Sequence, residues 1–352
     1  MSPEPDVAPD VDLAHHGDRE ATPGLLDFAV NVHSALPPQW LVQVLTDALP
    51  GLGRYPDVAP AREALAALHG VPAASVLPVA GAAEAFRLVA GMAWQHPLVV
   101  HPQFTEQALR SCGHTVDRLV LEPGDGFALG GRAGTLEQDV DLVIVGNPTN
   151  PTSRLHPAHE LTRLLAPGRT LVVNEAFMDA VEPAGKPDQS LAVAAATTPG
   201  LVVVRSLTKT FSIPGLRIGY VLAQPALIRS LAQRQAPWSV GSLACAAAVA
   251  CAGEEGQRHA ATVRSALPAN RSHLAAGLAR AGLSVVRSPR GPFLLARHAQ
   301  AAGLRNMLRD SGFAVRRGDT FPGLGNQWLR LAVRTAPEQD LLLDALRAAR
   351  PT

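Results

Sequence analysis

The chain has 352 residues, enough for two domains and a substantial hydrophobic core. Its 31 lysine and arginine residues nearly balance its 30 aspartate and glutamate residues, so nothing attracts it generally to nucleic acid or to an anionic membrane. No apolar stretch is long enough to span a membrane, and Cys112, Cys245 and Cys251 lack CxxC or metal-ligand spacing. We therefore expect a cytoplasmic protein with reduced thiols and no metal site.

The order of sequence patterns predicts two folded regions. The acidic, proline-rich residues 1–20 are expected to form a flexible leader, and residues 21–54 to pack with a smaller C-terminal domain. Between about 55 and 250, β-branched runs alternate with helical patterns, which predicts a mainly parallel sheet covered by helices on both faces. Residues 251–352 combine a long helical stretch with short strands and further helices, which indicates a small α+β domain.

The ends of the predicted strands indicate where a ligand would bind. The strands predicted for the large domain are 97–102, 141–148, 170–176, 201–207 and 217–223, and the helices between them include 83–95 and 157–166. Ligands of open α/β sheets bind beyond the carboxyl ends of the strands, so residues at those ends should share one pocket. These residues are Phe104, Asn147, Asn150, Asn174, Glu175, Ser206, Thr208 and Lys209.

Lys209 is predicted to lie at the end of a buried strand, which is an unusual position for a lysine. It follows an apolar run that predicts a buried strand, where an ammonium group is costly unless the site uses it. Ser206 and Arg217 flank it, and the turn at 81–84 enters a helix whose N–H groups could bind a phosphate, although alone it could be only a tight turn. A buried amine beside cations has a lowered pKa and attacks aldehydes. This combination predicts pyridoxal phosphate bound through Lys209, whereas the absence of GxGxxG and GxxxxGK[ST] disfavours dehydrogenase and P-loop functions.

A set of motifs then identifies a family. They are SLTKTFSIPGLRIGY (206–220), NPTNPTS (147–153), NEAFMDA (174–180) and YPD (55–57). Together they resemble the motifs of fold-type I pyridoxal-phosphate enzymes, in the branch that holds histidinol-phosphate aminotransferase and threonine-phosphate decarboxylase. The resemblance extends from His15 to the last helix. It implies an α/β fold with a large, mainly parallel domain and a smaller α+β domain.

The resemblance also implies roles for individual residues. The cofactor-binding residues would be Tyr55, Gly81, Ala82, Ala83, Phe104, Asn150, Asn174, Phe177, Ser206, Thr208, Lys209 and Arg217. Lys209 would be the catalytic residue and bind the cofactor covalently, while Tyr55 would reach the phosphate from a neighbouring subunit, which implies a homodimer with shared sites. Arg330 would take the substrate carboxylate. The residues that would face a substrate phosphate are His15, Asn31 and Arg316.

Several details favour the decarboxylase members of this branch. Residues 213–217 are IPGLR, where aminotransferases tend to have LAGLR, and Phe177 replaces their usual tyrosine. The implied reaction is decarboxylation of L-threonine O-3-phosphate to (R)-1-amino-2-propanol O-2-phosphate in cobalamin biosynthesis. One alternative is an aminotransferase acting on a phosphorylated amino acid such as histidinol phosphate. Another is a pyridoxal-phosphate-binding protein with weak activity.

The sequence departs from the family at positions near the expected site. Asn174 stands where relatives carry an aspartate, whose charge keeps the ring nitrogen of the cofactor protonated. Asparagine is nearly isosteric but neutral, so it would weaken the ring as an electron sink. Asp179 lies five residues on and is not expected to substitute. Ser153 and His16 each stand where relatives carry glycine, and His16 falls near the expected substrate phosphate.

Overall fold

The computed structural model describes residues 11–181 and 189–348, so residues 1–10 of the predicted leader lie outside the described residues. The strands are β1 (Leu26–Asp27), β2 (Val76–Val79), β3 (Pro97–His101), β4 (Asp117–Val120), β5 (Leu142–Gly146), β6 (Thr170–Asn174), β7 (Leu201–Ser206), β8 (Gly219–Ala223), β9 (Ser284–Val285), β10 (Phe293–Arg297), β11 (Phe313–Ala314), β12 (Arg316–Arg317) and β13 (Trp328–Ala332). The α-helices are α1 (Gln39–Ala48), α2 (Ala59–His69), α3 (Ala82–Ala90), α4 (Glu106–Arg110), α5 (Ala158–Thr162), α6 (Ala192–Ala195), α7 (Pro225–Ala232), α8 (Ser242–Ala252), α9 (Glu254–Arg280), α10 (Ala301–Asp310) and α11 (Ala336–Ala348). Short 3-10 helices are Gly17–Arg19, Leu49–Gly53, Ala73–Ser75, Pro123–Asp125, Gly130–Gly134, Met178–Ala180 and Pro214–Leu216.

A seven-stranded sheet forms the centre of the large region, in the order β2-β8-β7-β6-β5-β3-β4. Its neighbours pair in parallel from β4 through β7, whereas β8 runs antiparallel to both β7 and β2. Val143 and Val145 contribute to one core layer, and Leu142 and Ile144 to another, because successive side chains of a strand point to opposite faces. Both faces are therefore covered, which confirms the predicted α/β fold.

A second sheet lies in the C-terminal region, in the order β12-β13-β10-β9, and all its neighbours are antiparallel. Its apolar side chains join residues of α9, α10 and α11 in a separate core cluster. Separate clusters fit the two domains that the sequence predicts, whose boundaries remain a prediction. Within the described ranges, no helix combines the length and apolar composition that crossing a bilayer requires.

The N-terminal segment connects the two regions. Strand β1 pairs in parallel with β11, whereas α1 packs against α8. Arg334 donates hydrogen bonds to the carbonyl oxygens of Asp27, Val30 and Val32, so the C-terminal region holds the segment in place. The segment also lies beside the loop that follows β7, because the His33 N–H donates to the carbonyl oxygen of Lys209 at 2.9 Å.

Candidate active site

A cavity of about 530 Å³ lies at the carboxyl ends of the central strands, between the two sheets and the N-terminal segment. It is lined by His16, Gly17, Asp18, Ala29, Val30, Asn31, Ala82, Ala83, Phe104, Asn150, Ala176, Phe177, Ser206, Thr208, Lys209, Pro214, Arg217, Arg316, Phe321 and Arg330. The structure thus brings most of the predicted site residues together. Tyr55, Gly81, Asn174 and His15 are not among the lining residues.

The expectation that every strand-end residue reaches the pocket is wrong for Asn147 and Glu175. The side chain of Asn147 instead bonds the backbone of His156, with its Oδ1 accepting the His156 N–H at 2.7 Å. Glu175 is 1% exposed and accepts a hydrogen bond from Arg205 at 3.0 Å. Polar side chains at strand ends can form hydrogen bonds with neighbouring backbone or charged groups instead of a ligand, and the sequence does not show which partner each side chain takes.

Lys209 lines the cavity, three residues beyond the end of β7. Burial, together with the positive charges of Arg330 and Arg217, lowers the pKa of its ammonium group to about 8. Its carbonyl oxygen accepts a hydrogen bond from the His33 N–H at 2.9 Å, which fixes the backbone at this point. A larger share of neutral amine near physiological pH suits a nucleophile toward an aldehyde.

One end of the cavity has the features of a phosphate site. Gly81 precedes α3 with φ +77°, and a Cβ atom there would lie 2.7 Å from Nη2 of Arg217, so only glycine fits. The first N–H groups of α3 have no partners within the helix, and no side chain caps it. Ser206 and Thr208 place their hydroxyl oxygens 2.9 Å apart on the same wall. Backbone donors, hydroxyls and a guanidinium around a helix N-terminus fit the phosphate of pyridoxal phosphate.

Two buried arginines line the opposite end. Arg316 and Arg330 are paired in register across β12 and β13 and are 2% and 5% exposed. Burial lowers the pKa of Arg316 to about 10 and that of Arg330 to about 9, and the charge of Arg316 contributes to the second shift. Nη1 of Arg316, Nε of Arg330 and the side-chain amide of Asn31 are buried with no hydrogen-bond partner among the described residues. The carboxylate of Glu20 lies 3.9 Å from Nη1 of Arg316, beyond hydrogen-bond distance, so a bound anion would supply those partners and further negative charge.

Hydrogen bonds fix the orientation of both arginines. Arg330 donates through Nη1 to Oδ1 of Asn150 at 2.7 Å and through Nη2 to the carbonyl oxygen of Ala29. Arg316 donates through Nη2 to the carbonyl oxygen of His15 at 2.8 Å. The adjacent Arg317 forms a two-point ion pair with Asp319 at 2.6 Å, so only one of the two neighbouring arginines enters the cavity, as strand alternation predicts.

The sequence interpretation selected His15, but His16 faces the cavity. The ring of His15 contacts the buried carboxylate of Glu20 at 3.0 Å, whereas His16 lines the cavity, edge-on to Phe104 with ring centres 6.5 Å apart. Residues 15–20 are therefore packed against the C-terminal region, where Arg305 also binds Glu20. The contact with buried Glu20 distinguishes His15 from His16. The sequence does not reveal this contact, because the burial of Glu20 depends on the tertiary structure.

Other predicted residues lie near the cavity or apart from it. Asn174 is the last residue of β6, and its Oδ1 accepts the Ala176 N–H at 3.1 Å. Asp179 is bound by Arg205, so its charge is already paired. Phe177 packs edge-on against Phe293, with ring centres 4.9 Å apart. Tyr55 is 76% exposed and stacks on Trp238 at 4.4 Å, outside the cavity.

Comparison with known proteins identifies the family of this chain. The family model described as "Aminotransferase class I and II" matches residues 23–346. A histidinol-phosphate aminotransferase of Mycobacterium tuberculosis is 44% identical over 348 residues, covering 97% of this chain and 92% of that protein. The threonine-phosphate decarboxylase of Salmonella typhimurium is 31% identical over 339 residues, covering 92% of this chain and 90% of that protein.

Solved structures show the same fold. The histidinol-phosphate aminotransferase from Clostridium acetobutylicum superposes with a TM-score of 0.84 at 23% identity, over 92% of this chain and 98% of that one. The L-threonine-O-3-phosphate decarboxylase from Porphyromonas gingivalis gives a TM-score of 0.80 at 25% identity, over 92% and 99%. The chain therefore belongs to the aminotransferase class I and II family of pyridoxal-phosphate-dependent enzymes, with the fold of type I.

Proposed function

We propose that this enzyme decarboxylates a phosphorylated amino acid, with L-threonine O-3-phosphate as the first candidate substrate. The observation that carries this proposal is the pair formed by Arg316 and Arg330, which face one cavity with unsatisfied donors. Two buried cations side by side repel each other unless anions bind them. A substrate that carries both a carboxylate and a phosphate supplies one anion for each.

The division of the cavity supports separate positions for cofactor and substrate. Ser206, Arg217 and the N-terminus of α3 would hold the cofactor phosphate, and Lys209 would bind the aldehyde. When bound, pyridoxal phosphate would supply an electron-withdrawing ring that stabilises negative charge on the substrate carbon. Arg330 and Arg316 would bind the carboxylate and the phosphate of the substrate. Together they would fix the orientation of the bond to the carboxylate.

Lys209 would also move protons. Its pKa near 8 allows the amine to hold a proton or to release it close to neutral pH. Since it lines the cavity and feels the charges of both Arg217 and Arg330, it would deliver a proton to the substrate carbon after carbon dioxide leaves. Phe104, Phe177 and Phe321 add apolar walls that limit water in the cavity.

Measuring carbon dioxide release tests this proposal. Holoenzyme incubated with O-phospho-L-threonine should release carbon dioxide without any 2-oxo acid. L-threonine should react much more slowly, because it leaves Arg316 without an anion. A reaction that requires 2-oxoglutarate and yields a keto product would contradict decarboxylation and support amino transfer.

Amino transfer involving histidinol phosphate is the second candidate. It is favoured by the 44% identity to a relative named histidinol-phosphate aminotransferase, against 31% for the relative named threonine-phosphate decarboxylase. Arg316 would then bind the phosphate, and Arg330 a carboxylate of the 2-oxo acid. Assaying histidinol phosphate with 2-oxoglutarate beside the decarboxylation assay separates the two candidates. Weak activity in both assays would support the third possibility, impairment by Asn174.

A homodimer with shared sites is also part of the proposal. Tyr55 is exposed and held by Trp238, and Leu52 and Leu36 add exposed apolar surface to the same N-terminal half. Mixing a Tyr55→Phe variant with a Lys209→Ala variant tests this arrangement. If each site takes Tyr55 from the other subunit, mixed dimers contain one intact site and one doubly damaged site, and activity should rise on mixing. No gain under conditions of subunit exchange would contradict shared sites.

A further inference from the structure

Ser153 adopts a backbone conformation that favours glycine. It has φ +63° and is fully buried at the end of the loop 147–153. A residue with a Cβ atom is strained in this left-handed region, and such strain persists only where surrounding contacts compensate for it. The resemblance described above places glycine here in relatives, so the serine hydroxyl is the feature that needs an explanation.

The hydroxyl of Ser153 joins two loops from different regions of the fold. Its Oγ accepts the Gly291 N–H at 2.7 Å, and its carbonyl oxygen accepts the Arg290 N–H at 2.8 Å. A Cβ atom at Gly291 would lie 3.1 Å from this Oγ, so the approach is close. The loop between β9 and β10 is thereby fastened to the loop that follows β5.

Both fastened loops lead directly to Arg330. In the 147–153 loop, Asn150 accepts a hydrogen bond from Nη1 of Arg330 at 2.7 Å. On the other side, Gly291 lies two residues before Phe293, whose ring is 5.8 Å from the guanidinium carbon of Arg330. The hydrogen bond of Ser153 therefore connects the two loops that contact this guanidinium, one through the amide of Asn150 and the other through the ring of Phe293.

We propose that Ser153 is a positioning residue for the carboxylate site, because its hydroxyl holds the two loops that orient Arg330. The expected ligand, a carboxylate, rests on the proposed function. The link itself consists of two observed hydrogen bonds, one to the hydroxyl of Ser153 and one to its carbonyl oxygen. Losing the hydroxyl bond should loosen Arg330 and leave Ser206, Thr208 and Arg217 in place.

Two variants separate the hydrogen bond from the backbone strain. Ser153→Gly removes the bond and also relieves the strain, whereas Ser153→Ala removes the bond and keeps the strain. Ser153→Ala should therefore have the lower melting temperature. If the bond positions Arg330, both variants should weaken carboxylate binding equally, about fivefold, or about 1 kcal/mol. If the substitutions changed only the stability of the fold, the loss of carboxylate binding would follow the loss in melting temperature. Ser153→Gly would then bind the carboxylate nearly as well as the wild type.

Ser288→Gly provides a matched control. Ser288 lies in the same loop as Gly291 and has φ +53°, but it is exposed. This variant should keep wild-type ligand binding, so it accounts for any general effect of replacing a left-handed serine by glycine. Maleate serves as the carboxylate probe, with the dissociation constant measured calorimetrically on the holoenzyme and without turnover.

Hydrogen–deuterium exchange at Gly291 tests the link independently of any substrate. We expect faster exchange in Ser153→Gly and Ser153→Ala, unchanged exchange in Ser288→Gly, and fivefold weaker maleate binding in the first two variants only. Unchanged exchange at Gly291, or wild-type maleate affinity in Ser153→Gly, would overturn the inference. Failure of the wild-type enzyme to bind maleate, with exchange still accelerated in the variants, would instead overturn the proposed carboxylate site and the role given to Ser153 in it.

Discussion

Arg316 and Arg330 are direct cross-strand partners, and both guanidinium groups line one end of the same cavity. Because the two guanidinium groups occupy different positions, replacing each one should weaken the binding of a different ligand group. Arg330→Gln should weaken maleate binding, and Arg316→Gln should weaken binding of O-phospho-L-threonine relative to L-threonine. Each loss should be about 2 kcal/mol, or about 30-fold, because a buried charge contact is removed.

Arg317→Gln is the control for this prediction. Arg317 is the next residue on β12, but its guanidinium pairs with Asp319 on the other side of the strand. Binding of both ligands should stay at the wild-type level in this variant. Equal losses for Arg316→Gln and Arg317→Gln in calorimetric titrations would contradict a specific role for the first.

The pKa of Lys209 predicts the pH dependence of cofactor binding. Because burial and the charges of Arg330 and Arg217 lower this pKa to about 8, the neutral, nucleophilic amine predominates above that pH. The rate at which apoenzyme acquires visible absorbance on mixing with pyridoxal phosphate should rise with pH to a plateau, with its midpoint near 8. In Arg330→Gln the midpoint should move upward, since one repelling charge is gone. A midpoint at the ordinary lysine value in the wild type would contradict the lowered pKa.

His16 should make anion binding depend on pH. The pKa of its imidazole lies below 6.5, because burial outweighs the raising effect of Asp18 and Arg316 lowers it further. An anion at the arginine pair would favour the protonated ring, so sulfate should bind the holoenzyme more tightly as the pH falls from 8 to 6. His16→Gln should remove most of that dependence, whereas His96→Gln, at an exposed site outside the cavity, should keep it. A wild-type slope in His16→Gln would refute this role.

Asn174 should limit turnover. Its Oδ1 accepts the Ala176 N–H, and an aspartate could accept the same bond, so Asn174→Asp should fold normally. The resemblance implies that this residue meets the ring nitrogen of the cofactor, where a carboxylate would hold a proton. We expect Asn174→Asp to raise turnover at least about tenfold, equivalent to about 1.4 kcal/mol, and to shift the visible spectrum of the holoenzyme. An unchanged spectrum and rate would show that the enzyme operates with a neutral residue there.

The fold and the core of the site follow from local sequence patterns. The apolar runs before Lys209 and Asn150 predict buried strands, and the rule that ligands bind at strand ends places both residues at one cavity. The antiparallel direction of β8 was not predicted, because a strand's direction depends on how the chain returns to the sheet. Strand β4 was not predicted either, since its side chains are mostly exposed and lack an apolar run.

The departures from the sequence interpretation concern tertiary pairing. Glu175 lies at a strand end but is bound by Arg205, and His15 lies beside the cavity but is bound by Glu20. In both cases a long-range partner decides the direction of a polar side chain, and the sequence does not reveal that partner. His16, which the sequence analysis places near the expected substrate phosphate, lines the cavity in place of His15.

Covalent attachment of pyridoxal phosphate to Lys209 is the central claim, and borohydride reduction followed by peptide mass mapping tests it most directly. The chain contains only Lys186 and Lys209, so few amines compete. We predict that the reduced holoenzyme carries one cofactor mass on the peptide with Lys209, and that Lys209→Ala is colourless and unlabelled. A label on Lys186 or on the terminal amine, or no label at all on cofactor-saturated protein, would contradict the account.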